Sequence, residues 1–321
     1  MSPMTPIAVA IVNHNTRDHL RECLATVQLE APPEVVVVDN ASWDGSAEMV
    51  RAQYPSVTLR ANKKNLGYGA AANQAFVSCT AQHVLLLNGD TLLQPGALAA
   101  LSGYLARHRR AAVVGPRLVD PDGTLQASCY PFPTPLNTLL ENSTTAVVLG
   151  RLIRRYIPIV RNSYLRTWPH RSARVVPWVK GAAMAVRREA FDAVGGFDES
   201  YFMYFEDADL CYRLNAADWQ VHFAPVTTVV HIGGASTRQW GPEMGVRLLA
   251  STIQFYRQHA SGLRIAEVVL IVKSLMLARW ISGGIRLCLT RNACKRAEIA
   301  AEMGACRVVV LGHWRNLATC S

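Results

Sequence analysis

The feature that most restricts this chain is a series of short, almost unbroken apolar runs set between helical stretches. Residues 7–12, 34–38, 57–60, 84–87 and 112–114 read as strands. Runs that are apolar at nearly every position bury both faces of a strand, and that requires a mainly parallel sheet with helices on both sides. Between the runs, residues 16–29, 46–53, 69–79 and 95–107 read as helices, with Asp44 or Ser42 as a cap for the second and Pro95 in the first turn of the fourth. After Pro116 the pattern gives way to a Pro-rich stretch at 130–135. It returns as strand-like 175–186, helix-like 188–194, a helix from about 206 to 216, and strand-like 221–223 and 227–230.

Composition bounds the rest. With 50% hydrophobic and 17% charged residues the 321-residue chain can bury a large core and is not a disordered protein. Its net charge of +10 is concentrated: residues 142–188 hold ten Lys or Arg and no acid, which reads as a basic insertion. A second basic stretch, from Lys273 to Arg315, lies in an apolar helical tail over 261–321. Such patches suit nucleic acid, anionic lipid or diphosphate-bearing ligands. The eight cysteines form no C-x-x-C pair, so neither a zinc site nor a disulfide framework is indicated and a reducing cytosol is expected. The N-terminus lacks the pattern of a signal peptide. Lys273, Arg279 and Arg286 interrupt the most apolar segment, 268–289, so peripheral membrane attachment is expected rather than a spanning helix.

In an open α/β sheet, ligands bind beyond the carboxyl ends of the strands. Asn13 ends the first strand, Asp39 the second, and Asn88-Gly89-Asp90 follows Val84-Leu85-Leu86-Leu87. Asp39-Asn40 has a simpler use as an Asx turn, and Asp90 as an acidic turn ahead of a helix. Residues 67–72 fit G-x-G-x-x-A, with Asp90 about twenty residues on, so a nicotinamide oxidoreductase is one alternative. A basic nucleic-acid or membrane adaptor is another.

From Phe197 to Asp209 the chain carries five carboxylates beside five aromatics. Aromatic neighbours exclude water and raise the basicity of a carboxylate, which suits a general base acting on a hydroxyl. A helix N-terminus also attracts acids, and Asp209 with Arg213 is an ordinary i, i+4 pair. His231 ends a strand-like run, and with Asp90 and diphosphate oxygens it could complete the shell of Mn²⁺ or Mg²⁺.

Together these blocks resemble glycosyltransferase family 2, of GT-A fold, and most of all its rhamnosyltransferase-type members. The resemblance rests on Val36-Val37-Val38-Asp39-Asn40-Ala41-Ser42, Asn65-Leu66-Gly67-Tyr68-Gly69, Leu85-Leu86-Leu87-Asn88-Gly89-Asp90-Thr91, Lys180-Gly181-Ala182-Ala183-Met184, and Gly196-Phe197-Asp198-Glu199 through Glu206-Asp207-Ala208-Asp209 to Arg213. It spans residues 7 to about 259. It implies a nucleotide-sugar half over 1–120 and an acceptor and catalytic half over 121–260. Asp39 would hold the donor nucleoside, with Val12, Asn13, Asn65 and Gly67 closing on base and ribose. Asn88 and Asp90 match the D-x-D metal motif, with Asn88 the weaker ligand, and His231 matches a later metal-binding histidine. Asp207 matches the catalytic base. Gly181, Glu206, Asp209 and Arg213 fall on the acceptor side. The implied reaction is an inverting transfer of a sugar, with rhamnose the first candidate, from a dTDP-, UDP- or GDP-linked donor to a glycan or polyprenyl-diphosphate-linked acceptor in cell-surface polysaccharide synthesis. It would take place on the cytoplasmic face of the membrane, and no nucleic acid partner is expected.

Overall fold

A computed structural model of the chain describes residues 6–136, 138, 168–234 and 243–312. Most of the basic insertion and the last nine residues, Arg315 among them, lie outside the described residues.

The first half alternates as the apolar runs require: β1 (Ile7–Asn13), α1 (Arg17–Leu29), β2 (Val35–Asp39), α2 (Ser46–Gln53), β3 (Thr58–Ala61), α3 (Tyr68–Val77) and β4 (His83–Asn88). These are followed by β5 (Thr91–Leu93), α4 (Ala97–Arg107), β6 (Ala111–Val119), β7 (Leu125–Gln126) and β8 (Cys129–Tyr130). The second half adds β9 (Arg174–Val175), β10 (Trp178–Val179), β11 (Ala183–Arg187), α5 (Arg188–Ala193), α6 (Glu206–Ala216) and β12 (Gln220–His231). Helices α7 (Glu243–His259), α8 (Gly262–Leu289) and α9 (Ala293–Val310) close the described chain.

The main sheet runs in the order β3-β2-β1-β4-β11-β6-β12-β5. Strands β3, β2, β1 and β4 are parallel, as is the β6–β12 pair, whereas β11 enters antiparallel between β4 and β6. Alternation within β1 shows how both faces are filled. Ala8, Ala10 and Val12 join a core with α3 and α6, while Ile7, Val9 and Ile11 join one with α1, α2 and α4. Alanines at 71, 72 and 75 let α3 lie close against the first face.

Three local expectations are corrected. The two strand-like pieces after 220 are one strand, β12, whose register against β6 shifts between Phe223 and Thr228, around Pro225, which has no amide hydrogen to donate. Helix α4 starts at Ala97 behind Gly96 rather than at Pro95, and α2 starts behind Gly45, with Asp44 accepting from the Ser46 amide at 3.0 Å. Asp90 does not open a helix; it turns the chain into β5, which pairs antiparallel with β12 and sets Thr91 opposite His231.

Helices α7, α8 and α9 share a separate core around Leu249, Ile253, Val272, Met276 and Val309. Helix α8 has 28 residues and an eighteen-residue window of mean hydropathy 1.6, 22% of it buried. By length and composition alone it could cross a membrane. Lys273, Arg279 and Arg286 leave no eighteen-residue window of the helix free of charge, and this window holds no more than two charges.

Candidate active site

The carboxyl ends of β1, β4 and β12 converge on a cavity of about 310 Å³ with the start of α6 on its far wall. Asn40, Asn65, Asp90, Gly181, Asp207 and His231 all line it. These six come from six separate places in the chain.

On one side lie Asp90 and His231. Both are buried, and the antiparallel β5–β12 register holds them together, with the Ile232 amide donating to the Asp90 carbonyl at 3.0 Å. His231 Nε2 lies 3.4 Å from Asp90 Oδ1. Burial works to raise the Asp90 carboxyl, but its hydrogen bond and charge interaction with His231 outweigh that and hold it below the usual range. No group of three or more His, Cys, Asp or Glu is gathered among the described residues. The donor set fits a hard divalent cation that takes its remaining oxygens from a bound diphosphate, with Asn88 also on the wall.

On the other side, the chain reaches α6 through two consecutive left-handed residues, Tyr204 and Phe205, both with φ of 69°. Such a conformation costs roughly 1–3 kcal/mol for each non-glycine residue and persists where the surroundings enforce it. Here it turns Glu206 and Asp207 toward the cavity. Asp207 Oδ2 accepts from the Gly181 amide at 2.9 Å and Oδ1 from the Ala208 amide at 2.8 Å. Tyr68 donates its hydroxyl to the Gly181 carbonyl at 2.8 Å and so fixes that peptide. Burial pushes the Asp207 carboxyl up, against the Gly181 and Ala208 amides and the Lys180 charge. Glu206 is pushed much further, first by burial and then by the Asp207 charge, and its Oε2 has no hydrogen-bond partner among the described residues. Of the two, Asp207 is the more readily ionised, because only Asp207 has two amide donors.

Not every expected residue reaches the cavity. Val12, Asn65 and Asn88 do, whereas Asn13, Asp39 and Gly67 stand behind it. Asp39 spends one oxygen on Asn13 Nδ2 at 2.9 Å and the other on the Ser42 amide at 3.0 Å, so the local-turn reading accounts for its contacts. The neighbouring Asn40 lines the cavity instead and gathers the 62–67 loop through Asn62, Leu66, Asn65 and Gly67. Asp209 and Arg213 also do not line it: Asp209 is bonded to Arg213 at 2.7 Å and to His259 of α7 at 2.7 Å, which ties two helices together. An acceptor-contacting role for this pair is thus replaced by a bracing one.

The glycine-rich turn at 67–72 does not serve a dinucleotide. Tyr68 N donates to the Phe202 carbonyl at 3.0 Å, and a Cβ on Gly67, whose φ is +85°, would lie 2.3 Å from that oxygen. The close approach that requires glycine is to the Phe202 backbone rather than to a pyrophosphate.

Sequence reasoning missed His14, Asn40, Tyr68 and Lys180 on the cavity wall. Asn40, Tyr68 and Lys180 stand in the motif blocks already singled out, next to the residues chosen, so adjacency was the available signal.

A model of the family described as "Glycosyltransferase like family 2" matches residues 3–245. The chain belongs to glycosyltransferase family 2. A curated relative from Mycobacterium tuberculosis (strain H37Rv), the N-acetylglucosaminyl-diphospho-decaprenol L-rhamnosyltransferase, is 35% identical over 244 residues, covering 72% of this chain and 77% of its own length. The rhamnosyltransferase WbbL of Escherichia coli K12 is 42% identical over 66 residues, 21% of this chain and 25% of WbbL. Among solved structures, the mannosyltransferase PcManGT from Pyrobaculum calidifontis in complex with GDP-Man and Mn²⁺ superposes with a TM-score of 0.54 at 16% identity. It covers 97% of this chain and 88% of that one, and it shows the GT-A fold. Family 2 membership makes the protein a sugar transferase and leaves the nicotinamide and adaptor alternatives without support.

Proposed function

We propose that the protein is a metal-dependent, inverting glycosyltransferase that moves rhamnose from a nucleoside-diphosphate donor to a hydroxyl of a polyprenyl-diphosphate-linked glycan, on the cytoplasmic face of a membrane. The observation that carries the reading is that one cavity holds Asp207, buried and backed by two amides, together with the Asp90–His231 pair. Sugar and acceptor follow the name of the mycobacterial relative. The cation (Mn²⁺ or Mg²⁺) and the nucleotide (dTDP, UDP or GDP) follow the chemistry of the pair and the bound groups of the structural relative.

Val12, Asn40, Asn65 and Asn88 form the donor side, with Asn13, Asp39 and Gly67 holding their backbone. Asp90 and His231 would hold the cation, assisted by Asn88. A divalent ion there supplies charge that neutralises the departing diphosphate. Asp207 takes the proton from the acceptor hydroxyl as its oxygen attacks the sugar C1, and the Gly181 and Ala208 amides hold the carboxylate on line. Glu206, kept neutral, donates its hydrogen to an acceptor oxygen, which would give the buried carboxyl the partner that Oε2 lacks among the described residues.

The test is transfer of radiolabelled sugar to a short polyprenyl-diphosphate N-acetylglucosamine. Asp207→Asn is expected to lower turnover by about 10²–10⁴-fold with nucleotide binding unchanged. Retained turnover would remove Asp207 as the base.

A further inference from the structure

The cation pair is oriented by a residue that no sequence motif marks. Gln126 ends β7, the two-residue strand set antiparallel to β6. Its Nε2 donates to Asp120 Oδ1 at 2.8 Å and to the His231 carbonyl at 3.3 Å. Its Oε1 faces His231 Nδ1 at 2.5 Å and accepts from Lys180 Nζ at 3.1 Å. Chemistry fixes which end of the amide is which. A carboxylate and a carbonyl only accept, and an ammonium only donates, so the amide nitrogen faces the first two and the oxygen faces the lysine.

An oxygen at His231 Nδ1 admits only a protonated Nδ1. In the neutral ring Nε2 then carries the lone pair, and it points at Asp90 Oδ1 from 3.4 Å. A nitrogen lone pair and a carboxylate oxygen at that separation repel unless a positive charge lies between them: a proton on Nε2, which makes the ion pair with Asp90, or a divalent ion in its place. We infer that Gln126 is a positioning residue for the cation site: it locks His231 in the Nδ1–H form so that Nε2 and Asp90 present themselves together to a divalent ion. The hydrogen bond at Nδ1 also makes Nε2 a stronger donor. Loss of such an outer partner commonly weakens metal binding by about 10–100-fold. By holding Lys180 on the same oxygen, Gln126 keeps a second positive charge on the wall of the same cavity.

The inference rests on reading Asp90 and His231 as cation ligands, and its test separates the two. Mn²⁺ binding is followed by electron paramagnetic resonance of the free ion, alone and with dTDP, UDP or GDP. It is measured for the full chain, Gln126→Met, Gln126→Glu, His231→Ala and the Gln126→Met/His231→Ala double variant. Gln126→Met is expected to weaken Mn²⁺ about tenfold or more. Gln126→Glu keeps an acceptor for His231 Nδ1 but sets its second oxygen against Asp120, so it should lose less affinity than Gln126→Met without reaching wild type. In the His231→Ala background Gln126→Met should cost nothing further. Nitrogen NMR of ¹⁵N-histidine-labelled wild type, with His231 assigned by loss of its signal in His231→Ala, should show the Nδ1–H tautomer. This readout stands even where Gln126→Met does not fold. Unchanged Mn²⁺ binding in Gln126→Met, an equal loss in both backgrounds, or an Nε2–H ring would overturn the inference. Wild-type protein that binds no Mn²⁺ with any nucleotide would overturn the cation site and the inference with it.

Discussion

Glu206 and Asp207 open the same helix, yet their surroundings push the Glu206 carboxyl further up than that of Asp207. Asp207 receives two amide hydrogens, and Glu206 has burial and a neighbouring anion. Because the folded-state pKa of Glu206 is raised, the native state keeps a proton that the unfolded chain has already released above the ordinary carboxylate range. Its contribution is therefore fully present below the unfolded pKa and is lost as pH rises through the folded one. Glu206→Gln should flatten the fall of melting temperature with pH across that window, and an unaltered slope would show that Glu206 is ionised in the fold. Asn88 and Asp207 could be singled out because one ends a strand and the other opens a helix where the fold class places ligands, whereas Asn40, one position past the end of β2, was passed over for Asp39. Asp39 shows what sequence leaves open: a carboxylate at a strand end can serve the turn that follows, and sequence gives no sign of which hydrogen bonds it makes.

At the scale of elements, β1 to β4 and their helices were readable because each apolar run packs on both faces and carries its own periodicity. Strand β5 was not, since three residues give no period and its pairing partner lies more than a hundred positions away. That short strand nonetheless brings Asp90 to His231. Loop placement depends on similarly distant contacts, as at Gly67. Gly67→Ala adds a Cβ at a positive φ and against the Phe202 carbonyl, so it should destabilise the fold by more than about 1 kcal/mol in urea. It should also weaken nucleotide binding, because Asn65 and Asn40 are anchored to the same loop. Wild-type stability and affinity in that variant would mean that the 62–67 loop does not shape the donor side.

For the whole molecule, α8 presents Leu263, Leu270, Leu277, Ile281 and Ile285 to solvent. They recur at intervals of seven or four and so fall on one stripe of the helix, whereas Arg279 and Arg286 fall on the opposite side, toward α9, where Arg286 pairs with Glu302 at 2.6 Å. An exposed apolar stripe of this length suits the surface of a bilayer, where a lipid-linked acceptor would be presented. Leu270→Glu combined with Ile281→Glu should lower sedimentation with phosphatidylglycerol vesicles by about tenfold or more, since each exchanged side chain forfeits roughly 1.5–3 kcal/mol of apolar burial. Nucleotide affinity should stay unchanged, because the cavity is lined by other elements. Equal sedimentation of variant and wild type would assign the stripe another use.

The central claim is that the cavity is a nucleoside-diphosphate site completed by a divalent cation. Calorimetric titration of dTDP, UDP and GDP into the purified protein, first with Mn²⁺ and then with EDTA, tests it most directly. The account predicts that one nucleotide binds with Mn²⁺, that EDTA abolishes its binding, and that Asp90→Ala behaves with Mn²⁺ as wild type does with EDTA. Absence of binding by all three nucleotides, or binding indifferent to both EDTA and Asp90→Ala, would contradict it.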